Sequence, residues 1–184
     1  MAESDKHREI ATYFIQALKT YYAGRDDVYV VFGVPGHLRD SYKSWEEGGR
    51  LPDVVFEFTS RKTQREDTDT KLPRYQSVLR TPEYFLFDPT GDYLRPRLQG
   101  YRLEDGRYVR LELVDDRLHS ERLGLDLVQE GENLRMFDPA KNQFLYTPLE
   151  QAQRAEEQAQ RAASAEDEVA CLRAELAALK AKDL

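Results

Sequence analysis

One cysteine, three histidines and the absence of any long apolar run leave several function classes without material. Cys171 alone allows no internal disulfide, which suits a reducing compartment. His7, His37 and His119 are scattered, and with one cysteine they make no zinc-ligand spacing, so no structural zinc is expected. No apolar stretch approaches the roughly 20 residues that a membrane span needs. The opening MAESDKHREI has no apolar signal core. The expectation is a cytoplasmic protein that does not enter a membrane. What the chain does have is charge: 33% of its 184 residues are charged against 40% apolar, with a formal net charge of -7. That is the composition of a globular chain, long enough for one ordinary domain and an appendage.

The central stretch runs from Leu51 to Pro89, with two apolar strands around a charged segment. In Pro52 to Ser60, Val54, Phe56 and Phe58 share one face, while Asp53, Val55, Glu57 and Thr59 share the other. Glu is depleted in strands and almost never fully buried alone. Glu57 therefore calls for a cation, a metal or an open cleft beside it. The segment that follows carries Arg61, Lys62, Arg65, Lys71, Arg74 and Arg80 against Glu66, Asp67 and Asp69, six minus three, a local +3 in an acidic protein. Cations near carboxylates suit a phosphodiester substrate, because phosphate contacts supply most nonspecific affinity for nucleic acid. The same charges also suit a solvated helix face. Pro73 is tolerated only in a first turn, so a helix is expected to begin near Thr70 or to bend.

Elsewhere the pattern is α+β. Residues 5 to 23 place Ile10, Tyr13, Phe14, Ala17, Leu18 and Tyr21 on one helical stripe, with Glu9 on the solvated side and Gly24 as a stop. Asp26 to Pro35 reads as a strand with Asp27 at its start, and the loop from Gly36 to Arg50, which carries Trp45, could cover a site. Glu83 to Phe87 is a second strand. Turn signals at Asp88-Pro89, Asp105-Gly106, Glu130-Gly131-Glu132 and Asp138-Pro139 separate short strands such as Tyr108 to Leu113 and Leu134 to Phe137. One mixed sheet flanked by helices is the expected layout.

At Thr147 the composition changes. Thr147-Pro148-Leu149-Glu150 is a capping box, and no Gly or Pro follows Pro148 to the last residue. With Ala155, Ala162, Val169 and Leu176 at heptad position a, the d positions are Gln158, Ala165, Leu172 and Leu179. In a parallel dimer the flanking charges pair Arg161 with Glu166, Glu168 with Arg173 and Glu175 with Lys180. Exposed pairs are worth roughly 0.2–1 kcal/mol each, so they choose orientation more than they stabilise. Residues 149–184 are expected to form a coiled-coil homodimer, and a lone charged helix is the other reading.

The stretches DDVYVVFGVP, SYKSWEEGG, PDVVFEFTSRKT, the Lys71 to Tyr75 segment, PEYFLFDPTGDYL, LQGYRL, SERLGLDL and LRMFDP resemble the putative restriction endonuclease, or Uma-two, family of the PD-(D/E)XK nuclease-like superfamily. The resemblance covers residues 5 to 148 and implies a nuclease-like domain over 1–148, followed by the helical tail at 149–184. It implies a restriction-endonuclease-like mixed sheet flanked by helices. It makes Asp27 the aspartate of the PD half, with Asp26 in place of the proline, and Glu57 the acidic residue of the second half. Thr59 stands where a lysine is expected, and Lys71 matches the family's lysine on the following helix. A separate geometric argument favours Asp27 over Asp53 as the partner of Glu57. Four residues along a strand span roughly 13 Å, whereas a neighbouring strand lies about 4.8 Å away.

The chemistry so implied is metal-assisted phosphodiester hydrolysis. Asp27 and Glu57 would hold Mg²⁺ or Mn²⁺, Lys71 would orient the water or stabilise developing charge, and Arg61, Lys62, Arg65 and Arg74 would contact DNA. Relatives carry an extra strand pair before the PD strand, whereas Tyr21-Tyr22-Ala23-Gly24 here leads almost directly into DDVYVVFG. Two functions follow. One is a divalent-metal-dependent DNA endonuclease acting as a coiled-coil dimer. The other is a catalytically inactive nuclease-fold protein that assembles through its tail.

Overall fold

The structure is a computed structural model that describes residues 5–28, 30, 49, 51–60, 63 and 65–182, with the side chains of 174–182 set aside. The chain divides into two compact units, Met1–Leu145 and Tyr146–Leu184. Most of the expected Asp26 to Pro35 strand, the Trp45 loop, His37, Arg61 and Lys62 fall outside the described residues. Of that strand's described residues, Asp26 and Asp27 form a turn.

The first unit opens with helix α1, Asp5–Tyr21. Its stripe of Ile10, Tyr13, Phe14, Ala17 and Leu18 is buried, as periodicity requires, with Ala11 and His7 added to it. Glu9 stays on the solvent side, 3.8 Å from Lys6. Strand β1, Val54–Phe58, is joined to β2, Glu83–Phe87, in parallel, with Phe56 opposite Phe85. A parallel pair needs a crossover, and residues 66–79 provide it as helix α2. β3, Leu98–Glu104, and β4, Arg107–Arg110, then add antiparallel strands, giving a mixed sheet of order β1-β2-β3-β4. The β3–β4 turn has positive φ at both Asp105 (48°) and Gly106 (82°), as a tight two-residue hairpin demands.

The second half of the unit, β-rich as expected, adds a second sheet to the mixed one. β5 (Arg117–Ser120), β6 (Leu125–Glu130), β7 (Asn133–Asp138) and β8 (Gln143–Phe144) form their own antiparallel sheet. Leu118, Leu125, Leu127, Leu134 and Met136 from that sheet share one core with α1 and with Phe85, Phe87 and Leu98 of the first. Gly100 makes this approach possible. A Cβ there would lie 2.8 Å from the Phe85 ring and 3.0 Å from Leu118. The buried carboxylate of Glu83 also joins the sheets: it takes hydrogen bonds from Arg102 of β3, the Ser120 hydroxyl of β5 and the Glu121 amide. No buried charge is left without partners there.

Helix α2 differs from expectation. It does not wait for Thr70 but is helical from Arg65, because wide π turns over Glu66–Lys71 and Tyr75–Leu79 bracket a short α stretch, Leu72–Arg74. Pro73 lies in that short α stretch, inside the helix and between the two π segments. Arg80 ends the helix with φ of 49°.

The second unit is a single helix, α3, Pro148–Lys182. Its start is a reciprocal capping box: the Thr147 amide donates to Glu150 Oε2 at 2.7 Å, and the Glu150 amide to Thr147 Oγ1 at 3.2 Å. Val169 and Leu172 are exposed. No helix among the described residues is long and apolar enough to cross a membrane.

Candidate active site

The two faces of β1 separate as its alternation dictates. Val54, Phe56 and Phe58 pack against the main core, with the Phe14 ring meeting Phe56 and Phe58 at 5.0 and 5.2 Å. Val55 and Glu57 face the other way, toward α2, with Tyr84 and Leu86 of β2 beside them in register. Leu72 and Tyr75 pack over this second face, and Tyr75, Tyr84, Tyr101 and Tyr108 form a chain of neighbouring rings.

Beneath that cover lies one ion cluster. Lys71 Nζ donates to Glu57 Oε2 at 3.0 Å and to Asp67 Oδ1 at 2.8 Å. The side chains are 29%, 21% and 2% exposed for Lys71, Glu57 and Asp67. Burial, together with the nearby Glu57 carboxylate, raises the pKa of the Tyr75 hydroxyl. Burial pushes the Glu57 carboxyl upward, the Lys71 cation pulls it down, and the balance stays above the usual value of 4.5. For Lys71, burial disfavours the charge, but the hydrogen bonds and charges of Asp67 and Glu57 outweigh it and raise its pKa. The protonated lysine is the firmer side, because one ammonium serves two carboxylates.

Thr59, where a lysine is expected by resemblance, is buried, accepts from the Tyr93 hydroxyl and donates its amide to Phe87 O at 2.9 Å. His7 Nε2 donates to the Thr59 carbonyl at 2.9 Å. The position two residues after Glu57 is thus filled by a short neutral side chain, and the cation that meets Glu57 comes from α2.

The other residues singled out by sequence are placed as follows. Asp27, its side chain 68% exposed, is paired with Arg25, whose Nε donates to Oδ1 at 2.9 Å. Arg65 and Arg74 are exposed on the α2 segment. Asp53, the partner rejected on geometric grounds, is 72% exposed, with Arg122 3.9 Å away. Sequence reasoning counts Asp67 only in the charge balance. The signal that points to it is its four-residue spacing from Lys71.

No group of three or more His, Cys, Asp or Glu side chains is gathered as a metal site among the described residues. The donors that are present nevertheless suit a hard divalent cation. Mg²⁺ takes one or two carboxylates and fills its remaining positions with water and phosphate oxygens. Glu57 is such a carboxylate, in a setting that disfavours its uncompensated charge.

No curated protein matches the chain. Among families, residues 1–131 match the one described as "Uma2: Putative restriction endonuclease". That span holds β1, α2 and β2, and with them Glu57, Asp67 and Lys71. The mixed sheet with its parallel β1–α2–β2 crossover is consistent with a restriction-endonuclease-like fold. With well over half its length matched, the chain belongs to the Uma2 family of putative restriction endonucleases.

Proposed function

We propose that this protein is a divalent-metal-dependent endonuclease that hydrolyses phosphodiester bonds of DNA. Family membership supports a nuclease-like function in general. The observation that carries the finer reading is the meeting of Glu57 and Lys71 at 3.0 Å beneath α2, a part-buried carboxylate and a cation contributed by elements that only the fold brings together.

In this reading Asp27 and Glu57 hold Mg²⁺ or Mn²⁺, which when bound would activate water and neutralise charge on the scissile phosphate. Lys71 does not act as a base. With its proton held by two carboxylates it serves as a fixed cation, its third N–H free to reach the attacking water or a phosphoryl oxygen as negative charge develops. Arg61, Lys62, Arg65 and Arg74 contact DNA phosphates, which gives affinity without sequence information.

The test is a cleavage assay on supercoiled plasmid and on single-stranded DNA with Mn²⁺, Mg²⁺ or EDTA. Cutting that requires metal and disappears in Glu57→Ala is the expected result. A folded protein that neither cuts nor gains Tm with saturating Mn²⁺ would refute the reading.

A second reading rests on α3. Its 35 residues start from a complete capping box and carry exposed Val169 and Leu172 on the expected heptad seam. Here the helix pairs with that of a second copy, either bringing two nuclease sites together or serving an inactive nuclease fold as its means of assembly. Deleting residues 149–184 should halve the mass measured by light scattering, and an unchanged mass would remove the dimer from both versions.

A further inference from the structure

We propose that Asp67 is a positioning residue that fixes Lys71 against Glu57. The proposal deepens the nuclease reading and rests on it for its catalytic consequence.

A lysine reaches its target on a flexible four-carbon stem with considerable rotamer entropy to lose. One contact with Glu57 across the space between strand and helix leaves that stem poorly defined. Asp67 supplies the second contact, from the same helix and four residues earlier, at 2.8 Å. It is suited to the task because its own position is fixed. Its amide donates to Thr63 O at 2.8 Å, and its carbonyl accepts from the Leu72 amide and, at 3.1 Å, from the Tyr84 hydroxyl of β2. Thr63 is in turn tied to the end of β1, its amide donating to Ser60 O at 2.9 Å and its hydroxyl accepting from the Ser60 amide at 3.0 Å. The strand that carries Glu57 therefore sets where Asp67 stands, and Asp67 sets where Lys71 points.

A purely structural ion pair explains the arrangement less well. Removing a carboxylate from water is costly unless its partner compensates, and a salt bridge made to a buried carboxylate is weak evidence for stability alone. Here the buried carboxylate stabilises a cation whose other contact is the proposed catalytic Glu57. The cluster holds two carboxylates and one ammonium, so it keeps one negative charge in excess. That excess favours a divalent cation while Lys71 remains protonated.

Lys71 is directly measurable by competitive acetylation with acetic anhydride near pH 8, read by mass spectrometry against exposed Lys19 in the same chain. An ammonium held between two carboxylates must leave both before its amine can react, so the pairing itself slows acetylation. In the wild type Lys71 should react several-fold more slowly than the exposed Lys19. Equal rates in the native protein would overturn the proposal without need of any variant. Asp67→Asn should bring the Lys71 rate close to the Lys19 rate, whereas Asp67→Glu, which restores a carboxylate, should keep it slow. Slow labelling of Lys71 in folded Asp67→Asn would also overturn it.

Cleavage provides the second readout. Asp67→Asn should lower kcat about tenfold or more with KM little changed. In a Lys71→Ala background the same substitution should add nothing, since Asp67 acts through Lys71. An additive loss in the double variant would defeat the positioning role. If the wild type cuts no DNA while the acetylation pattern holds, the nuclease reading fails and the link between Asp67 and Lys71 stands.

Discussion

The two faces of the first sheet are made by the same strands and do opposite work. On one, Phe56, Phe85, Phe87 and Leu98 are sealed against α1 and the second sheet, and the ionisable groups buried there have partners: His7 on the Thr59 carbonyl, Tyr13 on the Leu145 carbonyl and Glu83 at the margin. On the other, Glu57, Asp67 and Lys71 lie among tyrosines whose hydroxyls find oxygen partners, such as Tyr84 on the Asp67 carbonyl and Tyr108 on the Thr81 carbonyl. A strand alternates with period two. Each residue step in β1 therefore switches between a side chain that stabilises the fold and one available for chemistry. Stability and activity should separate by face when residues are replaced one at a time.

The largest separation is expected at Phe85, 1% exposed and stacked on Phe56 with ring centroids 5.2 Å apart. Phe85→Ala should destabilise the domain by about 3–5 kcal/mol in denaturant unfolding. Glu57→Ala, one residue along from Phe56 on the opposite face, should cost far less stability while removing cleavage. A Phe85→Ala protein as stable as the wild type would mean that the apolar face does not carry the fold.

Gly100 sharpens the comparison at smaller cost. It pairs with Phe85 in register, and a methyl group there would press on Phe85 and Leu118 together. Gly100→Ala should lose about 1–3 kcal/mol by overpacking. Because the strain falls on the apolar face, the acetylation rate of Lys71 should be unchanged. A changed Lys71 rate would show that the two faces are coupled through β2.

How far the sequence reveals this arrangement follows the range of the interactions. The α1 stripe, the alternation in β1, the Asp105-Gly106 turn and the Thr147-Glu150 capping box all act within a few residues and are legible from spacing alone. The separate second sheet is not, because hairpin signals fix which neighbours pair but not which sheet they join. That α2 runs helical past Pro73 from Arg65 is not legible for a similar reason: the proline rule assumes α turns, and π turns flank the proline here. At the site, the mid-strand Glu57 announces that it needs a partner. Which cation meets it, across 14 residues, is decided by the fold. Asp67 is harder still to read, since an aspartate four residues before a lysine on a polar helix ordinarily marks an exposed pair.

The finest test of the comparison uses pH, because burial raises the Glu57 pKa above 4.5 even with Lys71 beside it. The proposed chemistry needs the carboxylate, so metal-dependent cleavage should fall away with acid at a pH above 4.5, earlier than an ordinary glutamate would dictate. Stability should move in the opposite sense. Between 4.5 and its native pKa, Glu57 keeps its proton in the folded protein and has lost it in the unfolded one, so the folded state binds more protons and its stability falls as pH rises. The contribution is fully present below 4.5 and is lost as pH climbs through the native value. Glu57→Gln cannot titrate and should lack this slope, which Tm measured from pH 4 upward in both proteins would reveal. Phe85→Ala should lower Tm at every pH and leave the slope intact. Equal slopes in wild type and Glu57→Gln would show that Glu57 is solvated, and the division of the sheet into a structural and a chemical face would lose its sharpest support.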